Sequence, residues 1–84
     1  MFEYVFLGRA RAQYDALSPD EQEDVDRAIR LLELDPWHDG ITKRDLPVPP
    51  LILSVYDDGR WRLSYRVVDH RFVEIYAIGR VQRA

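Results

Sequence analysis

Residues 60–67 of this 84-residue chain alternate without a break. Trp61, Leu63, Tyr65 and Val67 fall on one side of an extended strand; Arg60, Arg62, Ser64 and Arg66 fall on the other. Such a segment has one dry face and one wet face, so it demands a sheet covered on a single side. The run Phe72–Gly79 carries the pattern onward, with Val73, Ile75 and Ala77 as its apolar set and Glu74 and Tyr76 on the wet face. A three-residue turn at Asp69–Arg71 then pairs Arg66 with Glu74 and Ser64 with Tyr76. A one-residue slip would bury Glu74.

The cover for the dry face is legible upstream. Ser18-Pro19-Asp20-Glu21 is a helix start: Ser18 caps, Pro19 suits the first helical position, and Glu21 completes a capping box. The helix runs to Leu34, with Val25, Ala28, Ile29 and Leu32 at i, i+3, i+4, i+7 spacing, and Asp35-Pro36 ends it. Before it, Arg9 to Leu17 reads as a short helix with Ala10, Tyr14 and Leu17 along one side. Gly8 separates that helix from a first strand at Phe2–Leu7.

Trp37 to Pro50 reads as loop, punctuated by Gly40, Pro47, Pro49 and Pro50. Leu51–Tyr56 then turns through Asp57-Asp58-Gly59 into Arg60–Val68, and Arg80–Ala84 forms a tail. The expected architecture is α+β in the order β-α-α-β-β-β. It is a single domain over residues 1–84, with two N-terminal helices packed on one face of a four-stranded antiparallel sheet.

With 46% hydrophobic residues a core can form without staples, and the absence of cysteine excludes disulfides and thiolate metal sites. The apolar N-terminus holds Glu3 where a signal peptide has basic residues, and no apolar run approaches the roughly 20 residues of a membrane span. A cytoplasmic location away from membranes is expected. His38 and His70 lie in predicted loops without metal-ligand spacing, so neither metal nor small-molecule cofactor is expected. Trp37 reads as a lid over the core edge, with stacking on a nucleobase as the functional alternative. Residues 1–40 hold ten acids against four arginines, and residues 41–84 eight cations against five acids. Two surfaces with different partners are one reading of that asymmetry; ordinary solvation is the other.

The stretch Gly59-Arg60-Trp61-Arg62-Leu63-Ser64-Tyr65-Arg66-Val67-Val68-Asp69 and the later Ala77-Ile78-Gly79-Arg80 resemble the RelE/ParE superfamily of bacterial toxins. Ala10, Tyr14 and Leu17, and Ala28-Ile29 with Leu32 and Asp35-Pro36, fit that superfamily's two helices. The resemblance implies a type II toxin held by a cognate antitoxin and, in the mRNA-cleaving branch, metal-free cutting of mRNA on the ribosome. It implies a strand arginine on the scissile phosphate, at Arg62, with further basic residues at Arg80 and Arg83. Arginine suits that role because its planar fork grips phosphate bidentately. Tyr76 is the candidate for the proton-transferring tyrosine, with Tyr56 and Glu74 as substitutes; Ser64, Arg66 and Lys43 are candidates for binding RNA, and Arg44 beside Lys43 is within the same loop. Two departures stand out: Leu51–Tyr56 carries no charge where nuclease members often have lysines, and Gln82 and Arg83 occupy the place of a terminal tyrosine. Those departures suit the alternatives, a ParE-like inhibitor of DNA gyrase or an inactive toxin-fold binding module.

Overall fold

The computed structural model describes residues 1–48 and 51–81. In chain order the elements are β1 (Glu3–Phe6), α1 (Ala10–Asp15), α2 (Pro19–Leu34), β2 (Lys43–Val48), β3 (Leu51–Asp57), β4 (Trp61–Val68) and β5 (Phe72–Arg80). They build one five-stranded sheet in the order β1-β5-β4-β3-β2, with β1 parallel to β5 and every other pair antiparallel.

The expected four-stranded antiparallel sheet is corrected in two places. Six residues of the predicted Trp37–Pro50 loop form strand β2, paired with β3 from Lys43↔Tyr56 to Val48↔Leu51. Pro47 argues against a central strand, but β2 is an edge, where a missing ladder N–H is tolerated. Strand β1 is parallel to β5 because the connection through α1 and α2 brings the chain back into β2 running opposite to β1, and three further reversals then restore the direction of β1 in β5; alternation within a strand carries no information about direction.

Local chemistry explains how each element begins. The capping box forms as expected: the Ser18 Oγ accepts from the Glu21 N–H (3.3 Å), and the Glu21 Oε1 accepts from the Ser18 N–H (3.0 Å). Asp39 starts β2 by taking the backbone N–H groups of Ile41, Thr42 and Lys43 on one carboxylate oxygen, at 2.7–2.9 Å. Asp58 does the same for Arg60 and Trp61 ahead of β4. The β4–β5 turn has the expected three residues, Val68 pairing with Phe72, and holds Asp69 and His70 at positive φ (55° and 52°).

The core lies between the helices and one face of the sheet. Val25, Ala28, Ile29 and Leu32 of α2 pack with Trp61, Leu63 and Tyr65 of β4 and Val73, Ile75 and Ile78 of β5. The Tyr65 hydroxyl donates to the Pro36 carbonyl (2.6 Å), tying the chain beyond α2 to the central strand.

One β5 expectation is overturned. The register between β4 and β5 shifts by one residue at a bulge, passing from Tyr65↔Ile75 to Ser64↔Ala77. Ser64 therefore faces Ala77 instead of Tyr76, and Ile78 replaces Ala77 in the core. Strand β1 ends at Phe6↔Ile75, leaving the outer edge of β5 open beyond that point. There α1 takes over: the Gln13 Oε1 accepts the Ile78 N–H at 2.7 Å.

Two stability predictions follow from these polar contacts. Gln13→Ala strands a partly buried N–H and should cost about 1–3 kcal/mol, whereas Gln13→Glu, which keeps an acceptor, should cost less; urea midpoints measure both. Asp39 is held down to about 2, first by the N–H of Lys43 and then by that of Ile41. Because folding lowers this pKa, its stabilisation is complete above about pH 4 and fades as pH falls toward 2. The amide resonances of Ile41–Lys43 should lose protection in that window, and Asp39→Asn should abolish the dependence.

Candidate functional site

The face of the sheet away from the helices carries two ionic clusters. At one end Asp57 of β3 lies opposite Arg62 of β4 and accepts from its Nη2 at 3.2 Å; Arg44 of β2 reaches the same Oδ2 at 3.5 Å. The other Asp57 oxygen accepts from the Gly59 N–H at 2.9 Å. That backbone hydrogen bond, followed by the Arg62 guanidinium, holds the Asp57 carboxyl below its ordinary pKa. Asp57, read from sequence as a turn residue, thus belongs to the arginine-bearing face. The signal was available in principle: extending the strand alternation by one residue past Tyr56 places it there.

The second cluster stands four residues further along β4. Arg66 pairs with Glu74 in the expected register, its Nη2 and Nε lying 2.9 and 3.2 Å from Glu74 Oε1. The Tyr76 hydroxyl donates to that same oxygen at 3.0 Å. Burial first, and the hydrogen bond to Glu74 second, raise the Tyr76 pKa. Tyr76 therefore keeps a proton to donate at neutral pH, and the Glu74 carboxyl group beside it offers an oxygen to accept one. A guanidinium, a carboxylate and a phenol sharing one oxygen can bind a phosphodiester and move a proton beside it. Ser64 lies between the two clusters on this strand.

Other sequence-singled residues are elsewhere. The bulge in β5 turns Arg80 onto the helix side, opposite Trp61, where its guanidinium sits 5.3 Å from the indole ring and 2.8 Å from Glu21 Oε2. Lys43 also leaves the arginine face: its Nζ donates to the Asp35 carbonyl at the end of α2 (2.7 Å). Its neighbour Arg44 takes the exposed side instead, because successive strand residues point oppositely. Arg83 lies outside the described residues. Tyr56 is a core residue whose hydroxyl donates to Asp58 at 3.1 Å; burial pushes its pKa up to about 12. Among the described residues no group of three or more His, Cys, Asp or Glu is placed to hold a metal, and no helix is long and apolar enough to cross a membrane.

No protein-family model and no curated protein sequence matches the chain. Solved structures do. A chain of the RelBE2 toxin–antitoxin complex from Mycobacterium tuberculosis aligns over 95% of this chain and 98% of its own, with a TM-score of 0.76 at 23% identity. The fold is that of the RelE toxins. The isolated RelE toxin of E. coli covers all of this chain (100%) and 88% of its own at TM-score 0.69 and 15% identity. The archaeal RelE–RelB complex from Pyrococcus horikoshii gives 0.72 at 16%, covering 99% and 98%. These alignments take in between 95% and 100% of the chain.

The paired carboxylates generate a prediction about charge. Asp57→Asn should release Arg44 and Arg62 to solvent and to anions. The variant's affinity for a fluorescein-labelled polyanion such as heparin should rise several-fold at low salt and fall more steeply with added salt, as expected when more anionic groups are contacted. A fluorescence-anisotropy titration at two salt concentrations measures both effects.

Proposed function

We propose that this chain is the toxin half of a type II toxin–antitoxin pair and that it cleaves mRNA on the ribosome with Arg66, Glu74 and Tyr76. The observation that carries the reading is that triple, half-buried on the open face of a RelE-like fold. Glu74 takes the proton from a ribose 2′-hydroxyl as its oxygen attacks the phosphorus. Arg66, with Arg62 further along the strand, offsets the charge that gathers on the phosphoryl oxygens. The leaving 5′-oxygen takes the Tyr76 proton, and Tyr76 recovers one from Glu74 across their shared hydrogen bond. The products are a 2′,3′-cyclic phosphate and a 5′-hydroxyl, and no metal enters the balance. Its partner is an antitoxin, as in the RelBE complexes that share the fold, and its place of action is the cytoplasm.

One observation favours the non-enzymatic alternative, an inhibitor of DNA gyrase: Arg44, Arg62 and Arg66 each already have a carboxylate partner. Induction in cells followed by mapping of transcript 5′ ends separates the two. Cleavage at in-frame positions is expected, lowered about 10²–10⁴-fold by Glu74→Gln or Tyr76→Phe, with Arg62→Ala relieving growth arrest. Intact transcripts under full growth arrest, together with inhibition of supercoiling by the purified protein, would establish the gyrase reading instead.

A further inference from the structure

The helix layer is narrower than the sheet beneath it. Helix α2 packs on β4 and β5, and beyond it the same side of the sheet continues over β3 and β2. A groove of about 460 Å³ lies in that angle, lined by Leu31 and Leu34 of α2 and by Tyr56 of β3. The two leucines are 53% and 66% exposed, on the last turns of an amphipathic helix whose solvent side should be polar. Lone surface leucines are ordinary, but two of them three residues apart on one groove mark a surface to be covered. The same groove is ringed by Asp35, Asp39 and Asp58, all exposed, and among its lining residues the one cation is Lys43. Lys43 is already engaged: its Nζ donates to the Asp35 carbonyl at 2.7 Å and lies 3.9 Å from the Asp35 carboxylate, with 13% of the side chain exposed. The last turn of α2 holds no basic residue, so the negative end of the helix adds to these carboxylates.

We infer that this groove docks a cationic amphipathic helix of a partner protein. Its apolar ridge lies on Leu31, Leu34 and Tyr56, and its lysines or arginines meet Asp35, Asp39 and Asp58. Helices enter grooves in this way through anchors at i, i+3, i+4 and i+7. The charge of the rim speaks against other occupants. Nucleic acid and anionic lipid are repelled by it. A second copy would bring acids to acids, because the outward side of α2 carries Asp20, Glu23 and Glu33 against Arg27 and Arg30. The groove opens on the helix side of the sheet, whereas Arg62, Arg66 and Glu74 stand on the other face, so its occupant leaves the proposed cleavage centre uncovered. The inference rests on the proposed pairing with a partner protein and not on cleavage of RNA.

The probe is a synthetic, end-blocked peptide of roughly 16 residues, long enough to form a helix, with leucines at i, i+3, i+4 and i+7 spacing and lysines elsewhere. A companion peptide carries glutamate in place of every lysine, and a fluorescein label on each reports binding by anisotropy. Saturable binding of the lysine peptide is expected, about tenfold or more tighter than that of the glutamate peptide. Leu31→Ser and Leu34→Ser should each lower the affinity about tenfold and Asp35→Asn several-fold, while Glu23→Gln, in the first half of the same helix, leaves it unchanged. All four side chains are exposed, and backbone amide spectra check that each variant keeps the fold. No saturable binding, or equal affinity for the two peptides, would overturn the inference. So would equal losses in Glu23→Gln and Asp35→Asn, because the acidic surface at large would then be the binder. A dimer of the free protein that Leu34→Ser dissolves would overturn it as well, with a second copy as the occupant. Cleavage of RNA with the lysine peptide at saturation keeps the readings apart. Undiminished cutting is expected, whereas cutting lost in step with peptide binding would put the peptide on the open face and sink the groove. No cutting by the free protein, with the pattern of peptide binding intact, would sink the nuclease and leave the groove standing.

Discussion

Strand β4 sits in the middle of the sheet and serves both of its faces, and the rest of the molecule is arranged around that double duty. On the helix side Trp61, Leu63 and Tyr65 are almost fully buried beneath α2. Full burial of a large apolar side chain contributes roughly 1.5–3 kcal/mol, so this one strand supplies a substantial part of the stability of a small domain. On the other side Arg62 and Arg66 stay in reach of solvent. Sliding β4 by one residue would drive both guanidinium groups under the helices, where unpaired charge is costly. The strand therefore sets the register of its neighbours more firmly than any turn does.

The bulge in β5 is what divides the basic residues between surfaces. On an unbroken strand Glu74, Tyr76 and Arg80 would share a face. The single extra residue sends Ile78 into the core and Arg80 toward Glu21 of α2. Among the described residues the open face is left with Arg44, Arg62 and Arg66 and with the two carboxylates that bind them, Asp57 and Glu74. It is less basic than a count of arginines suggests, so a phosphate arriving there has to displace or share a carboxylate partner. Such exchange makes binding depend on the geometry of particular groups more than on long-range attraction, which fits a chain whose overall charge is −3.

The helix side has its own ionic frame. Asp24 of α2 holds both Arg27 and Arg60, and Glu21 serves the capping box with one oxygen and Arg80 with the other. These pairs fasten the start of β4 and the end of β5 to the same helix. The acidic first half of the chain is thus partly spent on arginines of the second half. That accounts for some of the charge asymmetry without invoking a partner.

The sequence by itself determined the elements whose signals are local. The period of α2 and its capping box, the two faces of β4, the Arg66–Glu74 pairing and the three-residue turn beyond Val68 are all properties of residues within a few positions of one another. Their outcome depends on helix and strand periodicity alone. Only the tertiary structure decided the rest. Strand β2 exists because β3 presents it with an open edge, which no propensity of Lys43–Val48 announces, and β1 runs parallel because of how the meander returns. The bulge arises where the edge of β5 passes from β1 to Gln13, and it moved Arg80 off the open face and Ala77 onto it. The Tyr65 hydroxyl meets the Pro36 carbonyl for the same reason: residues 29 apart in the chain come together only when the sheet has formed beneath them.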